Sequence, residues 1–227
     1  MEKRLKRKII RRIALGSVTN LIAPAKSVAN FAKSNWSVPA PKIIQVEVGV
    51  DLKRFKPTAK PDALPGLVKR STEHWIGAEL TPERGIAANE LVRALEHLPR
   101  DWHLVLMAGE TTPDAARAAA DAEGQSHRVH VLGSSADEAA VLALCDVFVD
   151  LSGQYEASPL RMKAMAAATP VVDLGAGDIV ATLESLIENA ETRKQDGAEN
   201  RKFALANFDF TSSVKALGRI YLDAIRA

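Results

Sequence analysis

The chain has 227 residues, 47% of them apolar and 26% charged, enough for one domain of ordinary size with extensions or two small ones around a buried core. Its net charge of +2 hides an asymmetry, because residues 1–12 carry seven Lys/Arg against Glu2, a local +6 that leaves −4 for the rest. A mildly acidic body behind a basic arm is not the charge pattern of a nucleic-acid-binding domain, and no nucleic-acid partner is expected.

The first segment reads as a basic helix over residues 3–15, with Leu5, Ile9 and Ile13 on one face. Such a helix suits peripheral contact with an anionic membrane, or packing against protein. The sequence divides here into the basic helix, 1–17, and a body, 18–227. Leu21-Ile22-Ala23 is a short strand and Ala25–Ser34 a helix. The β-branched alternation of Lys42–Val50 predicts another strand, and the Pro- and Lys-containing stretch Lys56–Lys69 a linker.

From there strands and helices alternate. Strand His74–Gly77 precedes a helix over Glu83–Leu98, whose Ile86, Leu91, Leu95 and Leu98 fall on one face. Strand Trp102–Met107 leads to an alanine-rich helix, Pro113–Ala122. Strand Arg128–Leu132 leads to a helix over Ala136–Leu144 with Ser134 or Ser135 as its cap. Strand Asp146–Leu151, helix Pro159–Ala168 and strand Pro170–Leu174 follow, then helices over most of 179–206 and 211–226. Repeated βα units with apolar strands specify an α/β fold, a Rossmann-like parallel sheet flanked by helices. Ligands of such sheets lie beyond the carboxyl ends of the strands, so the loops after Gly77, Met107, Leu132, Leu151 and Leu174 are the candidate walls.

Several chemistries are absent. The lone Cys145 excludes an intramolecular disulfide and fits a reducing compartment. No stretch reaches the ~20 apolar residues of a membrane-spanning helix. The basic start lacks the apolar core and cleavage site of a secretory signal. A cytoplasmic protein, peripheral at most to the membrane, is expected. His127 and His130 lie three apart on a predicted strand, with side chains on opposite faces, and are not read as metal ligands. Gly175-x-Gly177 has Val180 at the third glycine position, so it is not a dinucleotide fingerprint, and a nicotinamide oxidoreductase ranks low.

The stretch Tyr155–Val172, YEASPLRMKAMAAATPVV, is the most specific signal. A carboxylate at a loop tip is followed by Pro159 at the start of a short helix and then by an apolar strand. This loop resembles the donor-sugar loop of nucleotide-sugar glycosyltransferases of GT-B architecture, the group 1, glycogen-synthase-like retaining family. VEVGVDLKRFKP (46–57), ELTPERG (79–85), WHLVLM (102–107) and NFDFTSSVKALGRIYLDA (207–224) are similar to further family segments and occur in the family's order. The resemblance spans residues 18–227 and implies the C-terminal, nucleotide-sugar-binding half of a GT-B fold.

It implies roles for residues. Glu156 would hold donor-sugar hydroxyls, as a carboxylate accepts from two at once. Main-chain amides over Ser158, Pro159 and Leu160 would face the diphosphate at a helix start. Arg84 would neutralise it bidentately beside Gly85, where the backbone approaches closely. Leu132 would line the nucleobase side. Two positions depart from the pattern: Glu79 replaces a basic residue, and Lys163 replaces the ribose-gripping carboxylate, from where it would reach the diphosphate. The implied function is transfer of a sugar from a nucleotide-sugar donor in glycan or cell-surface polysaccharide synthesis. The family does this with retention of configuration and without metal or cofactor. The acceptor would arrive on a separate domain or subunit. A second reading, a degenerate domain serving as a partner-binding or membrane-associated subunit, rests on Glu79 and Lys163.

Overall fold

The computed structural model describes residues 20–80, 85–108, 113–134, 136–151, 158–173 and 178–226. The chain folds as two compact units, one containing the stretches up to Gly49 and from Phe208 onward, the other Val50–Asn207. The predicted helix 3–15, and with it the 17/18 boundary, lies outside the described residues.

In the first unit, strand β1 (Leu21–Ala23) pairs in parallel with β2 (Ile43–Gln45), joined through helix α1 (Lys26–Trp36) and a 3-10 turn, Ala40–Lys42. The alternation over 42–50 predicted a longer strand. Only Ile43–Gln45 of it forms a strand, matched to the three residues of β1. The C-terminal helix, here called α8 (Phe210–Arg226), belongs to the same unit. Its Ser213 hydroxyl donates to the Glu47 carbonyl at 2.8 Å. A Cβ on Gly49 would come within 2.3 Å of Phe210 Cα, so only glycine permits this approach.

The second unit is built on five parallel strands in the order β5-β4-β3-β6-β7. They are β3 (His74–Leu80), β4 (Trp102–Ala108), β5 (Val129–Leu132), β6 (Val147–Asp150) and β7 (Val171–Asp173). The helices between and after them are α2 (Gly85–Ala94), α3 (Pro113–Ala122), α4 (Glu138–Leu144), α5 (Pro159–Ala166), α6 (Ile179–Glu188) and α7 (Ala190–Asn207). One sheet face, with Ile76, Ala78, Leu104, Leu106 and Val149, packs on Leu91 and Val92 of α2, Ala116 and Ala120 of α3, and Leu183 of α6. Helices α4 and α5 pack on the opposite side, against β3 and β6 respectively. Burial on both faces explains why the strands read as continuous apolar runs. Fully buried Ile76, Leu91, Leu104 and Phe148 each contribute on the order of 1.5–3 kcal/mol.

Helix starts and stops follow local chemistry, with some corrections to the sequence reading. β3 runs three residues past Gly77, which puts Glu79 inside the strand. α2 ends at Ala94, short of the predicted Leu98, yet Leu95 and Leu98 remain buried. The Arg128 guanidinium donates to the Leu95, Leu98 and Pro99 carbonyls and so holds this turn. α4 begins at Glu138 and is capped by Asp137, which accepts from the Ala139 N–H at 3.1 Å, in place of the expected serine. α5 ends at Ala166, two residues early, and Ala168 takes a left-handed φ of 60°. His127 precedes β5, so it does not share a strand with His130.

Candidate functional site at the carboxyl edge of the sheet

From β3 the chain adds β4 and β5 on one side, then returns to place β6 and β7 on the other. β3 and β6 are therefore neighbours whose next strands, β4 and β7, lie on opposite sides of the pair. This is the topological switch point, where open parallel sheets open a crevice for ligands. Glu79, Met107 and Leu132 sit in one row across β3, β4 and β5, through the pairs Glu79↔Met107 and Met107↔Leu132. On the other side Asp150 pairs with Asp173. Two adjacent strands thus end in carboxylates.

The first turn of α5 is tied to three of these strand ends. Ser158 is the N-cap, its hydroxyl accepting from the Leu160 N–H at 3.2 Å. The same hydroxyl donates to the Glu79 carboxylate at 2.8 Å. Ser158 is buried and Glu79 half-buried, so the bond between them is partly shielded from water. Pro159 follows at the first helical position, where a missing N–H costs nothing. Arg161 donates to Asp150 at 3.3 Å and to Asp173, joining β6 and β7 to the helix. Burial alone would lower the Arg161 pKa, but the two carboxylates outweigh it and raise it above the ordinary value. Asp150 is 1% exposed, a buried charge that depends on this partner.

The residues expected at the site are distributed as follows. Arg84 and Glu156 lie outside the described residues. Gly85 is the first residue of α2, and Leu132 the last of β5. Ser158, Pro159 and Leu160 form the start of α5 beside Glu79. The expected row of amides over 158–160 is narrower than supposed. Pro159 has no N–H and the Leu160 N–H serves the cap. Lys163, one turn further along, donates to the Glu138 carboxylate at 2.5 Å and lies 5.4 Å from the centre of the Phe55 ring.

Arg161, Asp150 and Asp173 were not anticipated. Their signal was the repeated strand ending, FVD at 148–150 and VVD at 171–173, with an arginine in the first turn of the intervening helix. Among the described residues, no group of three or more His, Cys, Asp or Glu is arranged to hold a metal ion. None of their helices is long and apolar enough to cross a membrane.

Structural likeness points the same way. Sucrose-phosphate synthase from Thermosynechococcus elongatus superposes with a TM-score of 0.80 at 17% identity, over 97% of this chain and 62% of that one. A glycosyltransferase from Rickettsia africae gives 0.76 at 12% identity, over 94% and 66%. HepE from Anabaena, in complex with UDP, gives 0.79 at 16% identity, over 95% and 68%. The chain spans about two thirds of the length of these structures, and their likeness establishes the GT-B glycosyltransferase fold expected from the sequence. No curated protein matches the chain in sequence. The family model for glycosyl transferases group 1 matches residues 78–220, from within β3 into α8. By that match the chain belongs to the glycosyl transferases group 1 family.

Proposed function

We propose that the chain is the donor-binding part of a glycosyltransferase that moves a sugar from a nucleotide-sugar donor to an acceptor hydroxyl. The observation that carries this reading is the position of α5. The capped helix start lies beside Glu79, near the carboxyl end of β3, where its partial positive charge and first-turn amides suit a diphosphate. HepE structures carry UDP and UDP-glucose, which supports a nucleoside diphosphate as the moiety recognised.

In this reading Arg84 and the start of α5 hold the diphosphate as it leaves the anomeric carbon, and Glu156 holds sugar hydroxyls. Gly85 and Leu132 bound the pocket. The acceptor hydroxyl oxygen forms the new bond to that carbon and loses its proton, with retention of configuration and without a metal or further cofactor. The acceptor is bound by a separate domain or subunit, which closes over the donor and excludes water. The product belongs to glycan or cell-surface polysaccharide synthesis, in the cytoplasm.

The test is thermal melting of the protein with UDP, GDP or ADP at millimolar concentration. A ligand that binds only the folded state stabilises it, by about 2.7 kcal/mol at a hundred times its Kd. At least one of the three is expected to raise the melting temperature. A melting temperature unchanged by all of them overturns the donor-site reading.

A further inference from the structure

We propose that Glu73, His103 and His130 form a proton relay that fastens the edge strand β5 to β4 and releases it on taking up a second proton. His103 Nδ1 and His130 Nε2 lie 3.0 Å apart, with ring centres 5.3 Å apart and ring planes 6° from parallel. An imidazole nitrogen stands about 1.2 Å from its ring centre, so those two distances bring both nitrogens close to the line joining the centres. The N–H···N bond is therefore nearly straight, the geometry of a full hydrogen bond. On its other side His103 presents Nε2 to the Glu73 carboxylate at 4.0 Å. The side chains of His103 and Glu73 are 13% and 10% exposed, so little water screens this approach.

The chemistry of these groups fixes where the protons sit. An ionised carboxylate only accepts, and a neutral imidazole carries one N–H. The N–H of His103 is therefore on Nε2, facing Glu73, and its Nδ1 is a bare acceptor. The bond between the rings must then be donated by His130 Nε2, which leaves His130 Nδ1 bare as well. No described residue hydrogen-bonds that last nitrogen, so a first added proton goes there and breaks no bond. His130 becomes a cation and still donates to His103, and His103 still faces Glu73. A second proton has only His103 Nδ1 to go to. Two N–H groups then oppose each other across the same gap, and the bond is lost.

The surroundings resist that second step. His103 is faced by Glu73, Arg70, His127 and Arg128, and His130 by His103, Glu73 and the Trp75 ring. Glu73 is the one anion among these groups, against two arginines. Strand β5 ends the sheet order, is four residues long and has β4 as its sole neighbouring strand. Among the described residues, the histidine bond is the one side-chain hydrogen bond between the two strands. Its loss is therefore felt first at β5, while β3 keeps a strand on each side. His103 and His130 each stand second in their strands, at the amino edge of the sheet. The inference is independent of the donor site at the carboxyl edge and survives its failure.

The experiment is heteronuclear NMR of the histidine ring nitrogens in the full chain, titrated from about pH 7.5 to about pH 4.5, with amide hydrogen exchange followed in parallel. At the start both rings are expected to hold their proton on Nε2. His130 is expected to protonate first and His103 at lower pH. Protection of the β5 amides, corrected for the intrinsic exchange rate, is expected to fall at least about tenfold more than that of β3, and only as His103 titrates. In Glu73→Gln the titration of His103 is expected to move to lower pH, because the anion that favours its proton is gone. In His103→Asn, His130→Gln the link does not titrate, and the selective loss at β5 is expected to disappear. The parent chain alone decides the matter if either variant fails to fold. A neutral His103 protonated on Nδ1 overturns the proposal, as does protonation of His103 before His130. It is also overturned if the β5 and β3 amides lose protection together.

Discussion

The Ser158 hydroxyl joins Glu79, at the end of the central strand, to the Leu160 amide in the first turn of α5, with bonds of 2.8 and 3.2 Å. A carboxylate therefore reaches the very helix start that would receive a phosphate. Its charge is already served by the cap, and a bound diphosphate must approach it. Two like charges about 5 Å apart repel by roughly 3 kcal/mol at an effective dielectric near 20, less once salt screens them.

Glu79→Gln follows directly from that relationship. The amide oxygen can still accept from Ser158, so the cap keeps its partner while the charge is lost. Affinity for UDP, measured by calorimetry, is expected to rise at least about tenfold. Equal or weaker binding by the variant would show that Glu79 does not oppose the phosphate.

Arg161→Met removes the cation that Asp150 and Asp173 share. Asp150 then stays buried without its cation, a loss worth about 3 kcal/mol or more. Chemical denaturation of the variant should show a lower midpoint with an unchanged slope. The companion change Asp150→Asn with Arg161→Met should recover part of the loss, because the buried charge is removed along with its cation, while Asp173 is 40% exposed and water can serve it. A double variant no more stable than Arg161→Met removes the argument.

These relationships differ in how far the sequence discloses them. Strands such as β4 and β6 were legible because a parallel sheet buried on both faces leaves apolar runs. Pro159 was legible as a helix start from first-turn chemistry; the Ser158 cap was not read. The partners of that start were not. Glu79 lies 79 residues from Ser158, and Glu138 lies 25 from Lys163, distances fixed by crossover geometry and not by any local pattern. Glu79 itself was placed near a loop because Gly77 looked like a strand end. The glycine is there because a Cβ would meet Cys145 Sγ at 2.7 Å, a packing constraint invisible along the chain.

Gly197 makes a sharper test of packing. A Cβ at this position in α7 would sit 2.1 Å from the Ala168 carbonyl oxygen, at the left-handed residue that ends the α5 segment. Backbone cannot yield as a side chain can, so Gly197→Ala should cost at least about 1–3 kcal/mol. Gly218, in α8, has nothing within 4 Å of its Cβ position. Gly218→Ala should be neutral or stabilise by up to about 1 kcal/mol through helix propensity. The melting temperature should fall for Gly197→Ala and hold or rise for Gly218→Ala, and a harmless Gly197→Ala would mean that α5 and α7 do not approach as described.

The last prediction concerns acid. His103 on β4 and His130 on β5 stack with ring centroids 5.3 Å apart, and His103 Nδ1 lies 3.0 Å from His130 Nε2. Between neutral rings one nitrogen donates and the other accepts; protonating the acceptor sets two N–H groups against each other. Burial lowers both pKa values. For His103, Glu73 opposes that fall, while Arg128, His127 and Arg70 reinforce it. For His130, His103 reinforces it and Glu73 opposes it. Because the folded state holds these protons less tightly than the unfolded chain, the stability they confer is complete above about pH 6.5 and is lost as pH falls below it. Glu73 and Asp146 titrate lower. Burial raises each, but the Arg70 N–H and His103 around Glu73, and Lys69 with the Trp75 N–H around Asp146, hold both below the carboxylate range. Their contribution is present above about pH 4.5 and lost only below it. The melting temperature is therefore expected to fall between pH 7 and pH 5, before the carboxylates protonate. In His103→Asn, His130→Gln that fall should be largely gone, and an identical pH slope in the variant would assign the acid sensitivity elsewhere.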